Sequence, residues 1–206
     1  MSEQTHWIDL PEDDLKVFIP QINAIETLYS FEEKTSLAQR CSIPFYPDAE
    51  LIKLSKQSWP TTNDPLWYVR LSNGDIFNLD GSVAIIHQLN KEAPLDLNKN
   101  TVANYLKFRM YFVLENNERQ LLLNDYEELN LENQSLRNKI SPLIKPPIIE
   151  RLAEKHDFDA SGIILFNEQL YQTSFIIDEK GLTTETERML LASPKINLNK
   201  VLPFNF

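Results

Sequence analysis

Trp67-Tyr68-Val69-Arg70-Leu71-Ser72-Asn73-Gly74-Asp75-Ile76-Phe77-Asn78-Leu79 is the stretch on which the fold class turns. Two runs rich in aromatic and β-branched residues flank Asn73-Gly74. Asn-Gly accepts the positive φ angles of a type I′ turn, whose twist matches that of paired strands. The stretch is therefore expected to form a β-hairpin. With a two-residue loop, Leu71 faces Ile76, Val69 faces Asn78 and Tyr68 faces Leu79. Trp67, Val69, Leu71 and Ile76 then share one face, with Tyr68, Arg70, Phe77 and Leu79 on the other. Both faces are mostly apolar, which predicts cover on both sides.

Downstream, Asp80-Gly81 makes a turn, and Ser82 caps a short helix bearing Val83, Ile86 and Leu89. Asn100 or Thr101 caps a longer one. Val102, Leu106, Met110 and Val113 recur at helical spacing, and Phe108, Tyr111, Phe112 and Leu114 extend the apolar surface nearly all round. A helix of that kind belongs inside a core. Residues 125–140 carry a weaker helical pattern through Leu129, Leu136 and Ile140, and the prolines of 141–147 mark the best linker. Four strands are expected beyond it, over 148–155, 158–166, 170–177 and 182–190. Asp178-Glu179-Lys180-Gly181 suits a bulged hairpin turn, and such short connections predict an antiparallel meander. The apolar tail, Ile196, Leu198, Val201, Leu202, Phe204 and Phe206, is expected to dock on the body.

Upstream, Pro11 with Glu12, Asp13 and Asp14 suits a helix start, and Leu15, Phe18 and Ile19 form its stripe. Pro20 is expected to end or kink it. Ile22, Ile25 and Tyr29 allow a second short helix. Ser30 with Glu33 fits a capping box for a helix running to about Arg40. Pro44 and Pro47 make Cys41 to Asp48 a rigid extended connector. Ala49 to Leu54 reads equally as helix or strand. The expected fold is α+β: N-terminal helices, a hairpin, and a buried central helix packed on a curved antiparallel sheet from the C-terminal half. One globular domain over 1–206 is expected, divisible into a helical N-terminal segment (residues 1–65) and a remainder (residues 66–206).

The formal net charge of -10 repels phosphate backbones and anionic lipid, so neither nucleic acid nor membrane is expected as a partner. Another protein remains compatible. The single cysteine, Cys41, permits no internal disulfide and fits a reducing compartment. The N-terminal residues lack a signal-peptide pattern, and no apolar run reaches the ~20 residues of a membrane span. A cytoplasmic location is expected. The four glycines are too scattered for a phosphate-cradling loop, which excludes the dinucleotide fingerprint and the P-loop. No cofactor is expected.

The segment Arg40-Cys41-Ser42-Ile43-Pro44-Phe45-Tyr46-Pro47-Asp48-Ala49 resembles one found in bacterial hypothetical proteins of similar length. Asp80-Gly81 followed by Ile86-His87, and Tyr105-Leu106-Lys107-Phe108, are similar too. The resemblance covers most of the chain. It implies a family label and carries no activity or site residue.

Candidate chemistry is sparse. His156, Asp157 and Asp159 form the densest set of metal-ligating types, yet strand geometry would turn His156 away from both aspartates, and a polar turn explains them more simply. Imidazole as a side-chain type changes charge near neutral pH, which makes His87 a candidate acid or base without a paired nucleophile. Cys41 is a candidate nucleophile if a helix end or a cation lowers its pKa; an inert buried thiol is the alternative. Trp67, Tyr68 and Tyr171 are candidates for lining a ligand groove, against the ordinary reading of aromatics as core. The functional expectation is a non-catalytic interaction or regulatory protein. The alternatives are a small-ligand binder with a pocket between helix and sheet, and a hydrolase using His87 or His156.

Overall fold

The computed structural model describes residues 6–60, 64–129, 131, 133–152, 156–194 and 196. In chain order the elements are β1 (Ile8–Asp9), α1 (Glu12–Ile25), β2 (Ser36–Ile43), β3 (Tyr46–Lys56), β4 (Leu66–Leu71) and β5 (Ile76–Asn78). Then follow α2 (Val83–Glu92), α3 (Val102–Phe112), β6 (Gln120–Leu123), α4 (Gln134–Ile140), β7 (Ile148–Arg151), β8 (Phe158–Phe166), β9 (Gln169–Ile177) and β10 (Thr183–Ala192). The fold is α+β, with two open antiparallel sheets. One has the order β1-β2-β3-β4-β5, and the other β10-β9-β8-β6 with β7 also pairing β8. This corrects the expectation of one curved sheet from the C-terminal half. The first half of the chain builds a five-stranded sheet of its own, and neither sheet curls or closes.

The difference originates in residues 31–48. The capping-box signal at Ser30 and Glu33 yields only a 3₁₀ turn, Glu33–Thr35, and the chain then runs as β2. Ala38 packs on the α1 side of the sheet, while Cys41 and Ile43 enter the opposite core. A strand buried on both faces loses the simple alternation that marks strands in sequence. The expected rigid connector is instead a β2–β3 hairpin turning at Pro44-Phe45. Pro47 falls where the register shifts between Ser42 and Ile43, so its missing N–H breaks no ladder bond.

The Asn73-Gly74 hairpin is present, one residue out of the expected register. Leu71 N donates to Asp75 O at 2.9 Å and Gly74 N to Leu71 O at 2.9 Å, closing a three-residue loop with Gly74 at φ +92. Arg70 therefore opposes Ile76, and Val69 opposes Phe77. A one-residue slip exchanges faces. Phe77 joins Trp67, Val69 and Leu71 in the main core, and Ile76 lies with Tyr68 on the α1 side.

α1 passes through Pro20 without ending. Pro20 is exposed, so the carbonyl it leaves unpaired faces water, while Phe18, Ile19 and Ile22 anchor the opposite side. The main core takes residues from both sheets, α2 and α3, and α3 is buried on nearly every side as expected. Ile140 and Ile144 enter that core, so the proline-rich stretch 141–147 is not a free linker. The β8-β9-β10 meander forms as expected, with Gly181 at φ +76 in the β9–β10 turn. The tail lies outside the described residues except Ile196, which is buried in the main core. No helix among the described residues is long and apolar enough to cross a membrane.

Candidate functional site

α3 carries two cations inside a nearly all-apolar helix. Lys107 meets Glu128 at 2.6 Å, and the two side chains are 4% and 8% exposed. Asn124 completes the pair, donating from its backbone N (3.1 Å) and Nδ2 (3.2 Å) to the Glu128 carboxylate. Arg109, two residues on, meets no carboxylate at ion-pair distance among the described residues. Its Nε is buried with no hydrogen-bond acceptor. Burial pulls its pKa down, with Tyr105 opposing, yet guanidinium stays charged at any ordinary pH.

Arg109 lines a cleft of about 280 Å³ between α3 and the second sheet. Met110, Val113, Leu114 and Phe175 supply apolar walls, and Glu115, Gln120, Thr183 and Glu185 polar ones. Both glutamates converge on Arg188 of β10. Arg188 Nη2 lies 2.9 Å from Glu115 and 2.5 Å from Glu185, and its Nε donates to Glu185 at 2.9 Å. Burial alone would lower the Arg188 pKa, but the bonds to Glu185 and Glu115 outweigh it and raise it. Thr173, fully buried on the same face of β9 as Phe175, also has a hydroxyl with no partner.

A polar latch fixes the β9–β10 turn that leads into the β10 residues of the cleft. Tyr105 donates to Gly181 O at 2.6 Å and accepts from Asn90 Nδ2 at 2.8 Å. Asn90 Nδ2 also reaches Lys180 O at 2.9 Å, and Asn90 Oδ1 accepts from Tyr46. A Cβ at Gly181 would overlap the Tyr105 hydroxyl and stand 2.5 Å from Asn90 Nδ2, so only glycine allows this approach. The turn so fixed leads directly into Thr183 and Glu185.

The residues singled out from sequence fall elsewhere. Cys41 is buried in the main core, where desolvation pushes its pKa up to about 12 despite Lys53, making it an inert thiol. His87 is half-buried on α2, its Nε2 without a partner, and lines neither the cleft nor the two surface hollows described below. His156 is exposed, with Nδ1 3.0 Å from Arg151. Asp159 opposes Glu150 at the exposed start of β8. Among the described residues no three His, Cys, Asp or Glu side chains converge as a metal site, so His156, Asp157 and Asp159 do not assemble one. Trp67 and Tyr68 face opposite sides of the first sheet, in different cores. Tyr171 lies on the second, 5.8 Å from Arg188. These three aromatics do not share a groove.

Two larger hollows lie on the surface. One of about 670 Å³ follows the β1–β2 edge past Lys53, Lys56 and Trp59. Another of about 430 Å³ lies between Ile25–Tyr29 and Leu114, with Arg119 already paired to Asp64 at 2.7 Å. Lys53 and Lys56 in the first also meet no carboxylate at ion-pair distance among the described residues, but they lie over the Trp7 and Phe31 rings at 4.4 and 5.4 Å, whereas Arg109 buries an Nε that has no acceptor.

Arg109 escapes a reading of the helix that follows its apolar residues alone. A cation inside a helix that is apolar on every face requires a partner. That rule picks out Lys107 and Arg109, and only coordinates separate them. No protein-family model, curated protein or solved structure matches this chain, so the resemblance to bacterial hypothetical proteins rests on its quoted segments alone.

Proposed function

We propose that this protein binds a small molecule bearing a carboxylate or similar anion in the cleft between α3 and the second sheet, without chemistry upon it. The observation that supports this is Arg109, a half-buried guanidinium facing a cavity with no counter-ion of its own among the described residues. A cation removed from water is held at a cost unless an anion joins it. At about 280 Å³ the cleft suits a small ligand, just below the ~300–1,000 Å³ usual for ligand pockets. The overall charge of -10 disfavours anions at long range, so a local cation has to do the recognising.

This reading displaces the protein-interaction reading from first place, because the cavity lies between helix and sheet and contains an unmatched charge. The hydrolase reading loses support, since His87 and His156 lie away from the cleft and His156 is engaged by Arg151.

The test is calorimetric titration of the full chain with acetate, propionate, 4-methylpentanoate and inorganic phosphate, repeated on Arg109→Met. Binding of at least one anion, weakened tenfold or more by the substitution, is expected. Silence from all four, or equal binding to Arg109→Met, would remove the proposal.

A further inference from the structure

We infer that the ligand is a zwitterion, an α-amino acid with an apolar side chain, its carboxylate on Arg109 and its ammonium on the Glu115–Glu185 wall. This rests on the reading of the cleft as an anion site and adds the second charge and the side chain.

The charges around the cleft call for it. Arg188 is one guanidinium shared by two carboxylates, Glu115 and Glu185. That side carries one negative charge in excess, while the α3 side carries the unpaired positive charge of Arg109. Counting Arg188, which backs the two glutamates, the charges around the cleft are neutral in sum but polarised across its width. A simple monoanion would satisfy Arg109 and then lie beside two carboxylates. A ligand with both charges satisfies both walls.

The glutamates have capacity to spare. An ionised carboxylate offers about four acceptor positions. Glu185 uses two, for Arg188 Nε and Nη2. Glu115 accepts from Arg188 Nη1 and Nη2 and from Gln120 Nε2. Their side chains remain 34% and 40% exposed, open to a further donor. Thr183 and Gln120 add neutral polar groups at the same rim. Met110, Val113, Leu114 and Phe175 leave an apolar remainder suited to an aliphatic side chain. The volume is too small to enclose a nucleotide or a long peptide.

The experiment titrates the full chain with L-valine, L-leucine, L-methionine and L-phenylalanine. Each is paired with its des-amino acid, such as 4-methylpentanoate for leucine, and its decarboxylated amine, such as 3-methylbutylamine. At least one amino acid is expected to bind tenfold or more tightly than both of its counterparts. Arg109→Met should weaken the amino acid and the des-amino acid alike. Glu185→Gln and, as a second variant against misfolding, Glu115→Gln should bring the ratio between amino acid and des-amino acid toward one. If des-amino acids bind as well as the amino acids or better, the inference is overturned while the anion site stands. If none of the compounds binds, and acetate and phosphate are silent too, both fall.

Discussion

Lys107 and Arg109 sit two residues apart on one buried helix and meet opposite fates. On the Lys107 flank the chain after β6 folds back, and Glu128 with Asn124 closes around the ammonium. On the Arg109 flank β10 comes close, but Glu185 and, just beyond α3, Glu115 are bound to Arg188, and a cleft is left. The first flank is a finished ionic contact whose worth lies in the loop it fastens. The second is unfinished, with a charge and a space that match. Burial of a charge is therefore no guide to function by itself; what matters is whether the protein supplies the counter-charge.

Alkali should erase the distinction altogether. Burial raises the pKa of Tyr105, which stands beside Arg109, and likewise those of Tyr46 and Tyr68, while Tyr111 is pushed up to about 12. A raised folded pKa contributes stability that is whole below the unfolded value near 10 and fades as pH climbs toward the folded one. Tyr111 alone would lose about 3 kcal/mol by pH 12, at 1.36 kcal/mol per unit. Lys53, lowered by burial, works in the opposite sense but is a single group. Tyrosinate absorbance and circular dichroism followed from pH 9 to 12 should show ionisation and unfolding together. Ionisation of all seven tyrosines near 10 without loss of structure would contradict the buried placement of these four.

Next in size is the Lys107 flank. Glu128→Gln leaves a buried ammonium without its counter-charge and should lower the unfolding free energy by about 3–5 kcal/mol in a urea titration. The pair Lys107→Met with Glu128→Leu removes both charges and should recover most of that loss. A double variant as unstable as the single one would show that the contact is more than an ion pair.

Gly181→Ala attacks the other flank through the turn that shapes it. Positive φ and the overlap with Tyr105 and Asn90 should cost about 2 kcal/mol. Tyr105→Phe, which keeps the ring and removes only the hydroxyl bonds, should cost about 1 kcal/mol. If Gly181→Ala is neutral, the latch does not hold the cleft wall. The smallest effect is expected at Arg109 itself. Arg109→Met retains the stem and removes a charge with no counter-ion among the described residues, so stability without ligand should stay within about 1 kcal/mol of wild type or rise. A loss comparable to that of Glu128→Gln would mean that Arg109 has a structural partner and would collapse the contrast between the flanks.

Legibility followed the range of the cause. Val102 to Phe112 declared itself a core helix because its apolar residues recur within one element. The β8-β9-β10 meander was visible through alternation and through Asp178 to Gly181. The Asn73-Gly74 hairpin was visible too, but not its register, because the same dipeptide serves two- and three-residue loops and the closing bond, Gly74 to Leu71, decides between them. β2 was hidden behind a capping-box pattern, since Ala38 and Cys41 answer to two different cores. Asn116-Asn117 and Asn167-Glu168 hold positive φ in turns without glycine and gave little signal. At the cleft, Arg109 was present in the text of the helix, whereas its lack of a carboxylate partner among the described residues depends on segments distant in sequence.

The chain's linear order by itself determined the α+β class, the buried helix, the C-terminal meander and the absence of a glycine-rich phosphate loop. Each of these depends on neighbours a few residues apart, where backbone preference and the spacing of apolar side chains are decisive. Only the tertiary structure decided that there are two sheets, that Lys107 is answered by Glu128, and that Arg109 faces a cleft beside two carboxylates already bound to Arg188. Strand pairing and charge balance are settled by which distant segments arrive at the same place, and that depends on the packing of the whole core.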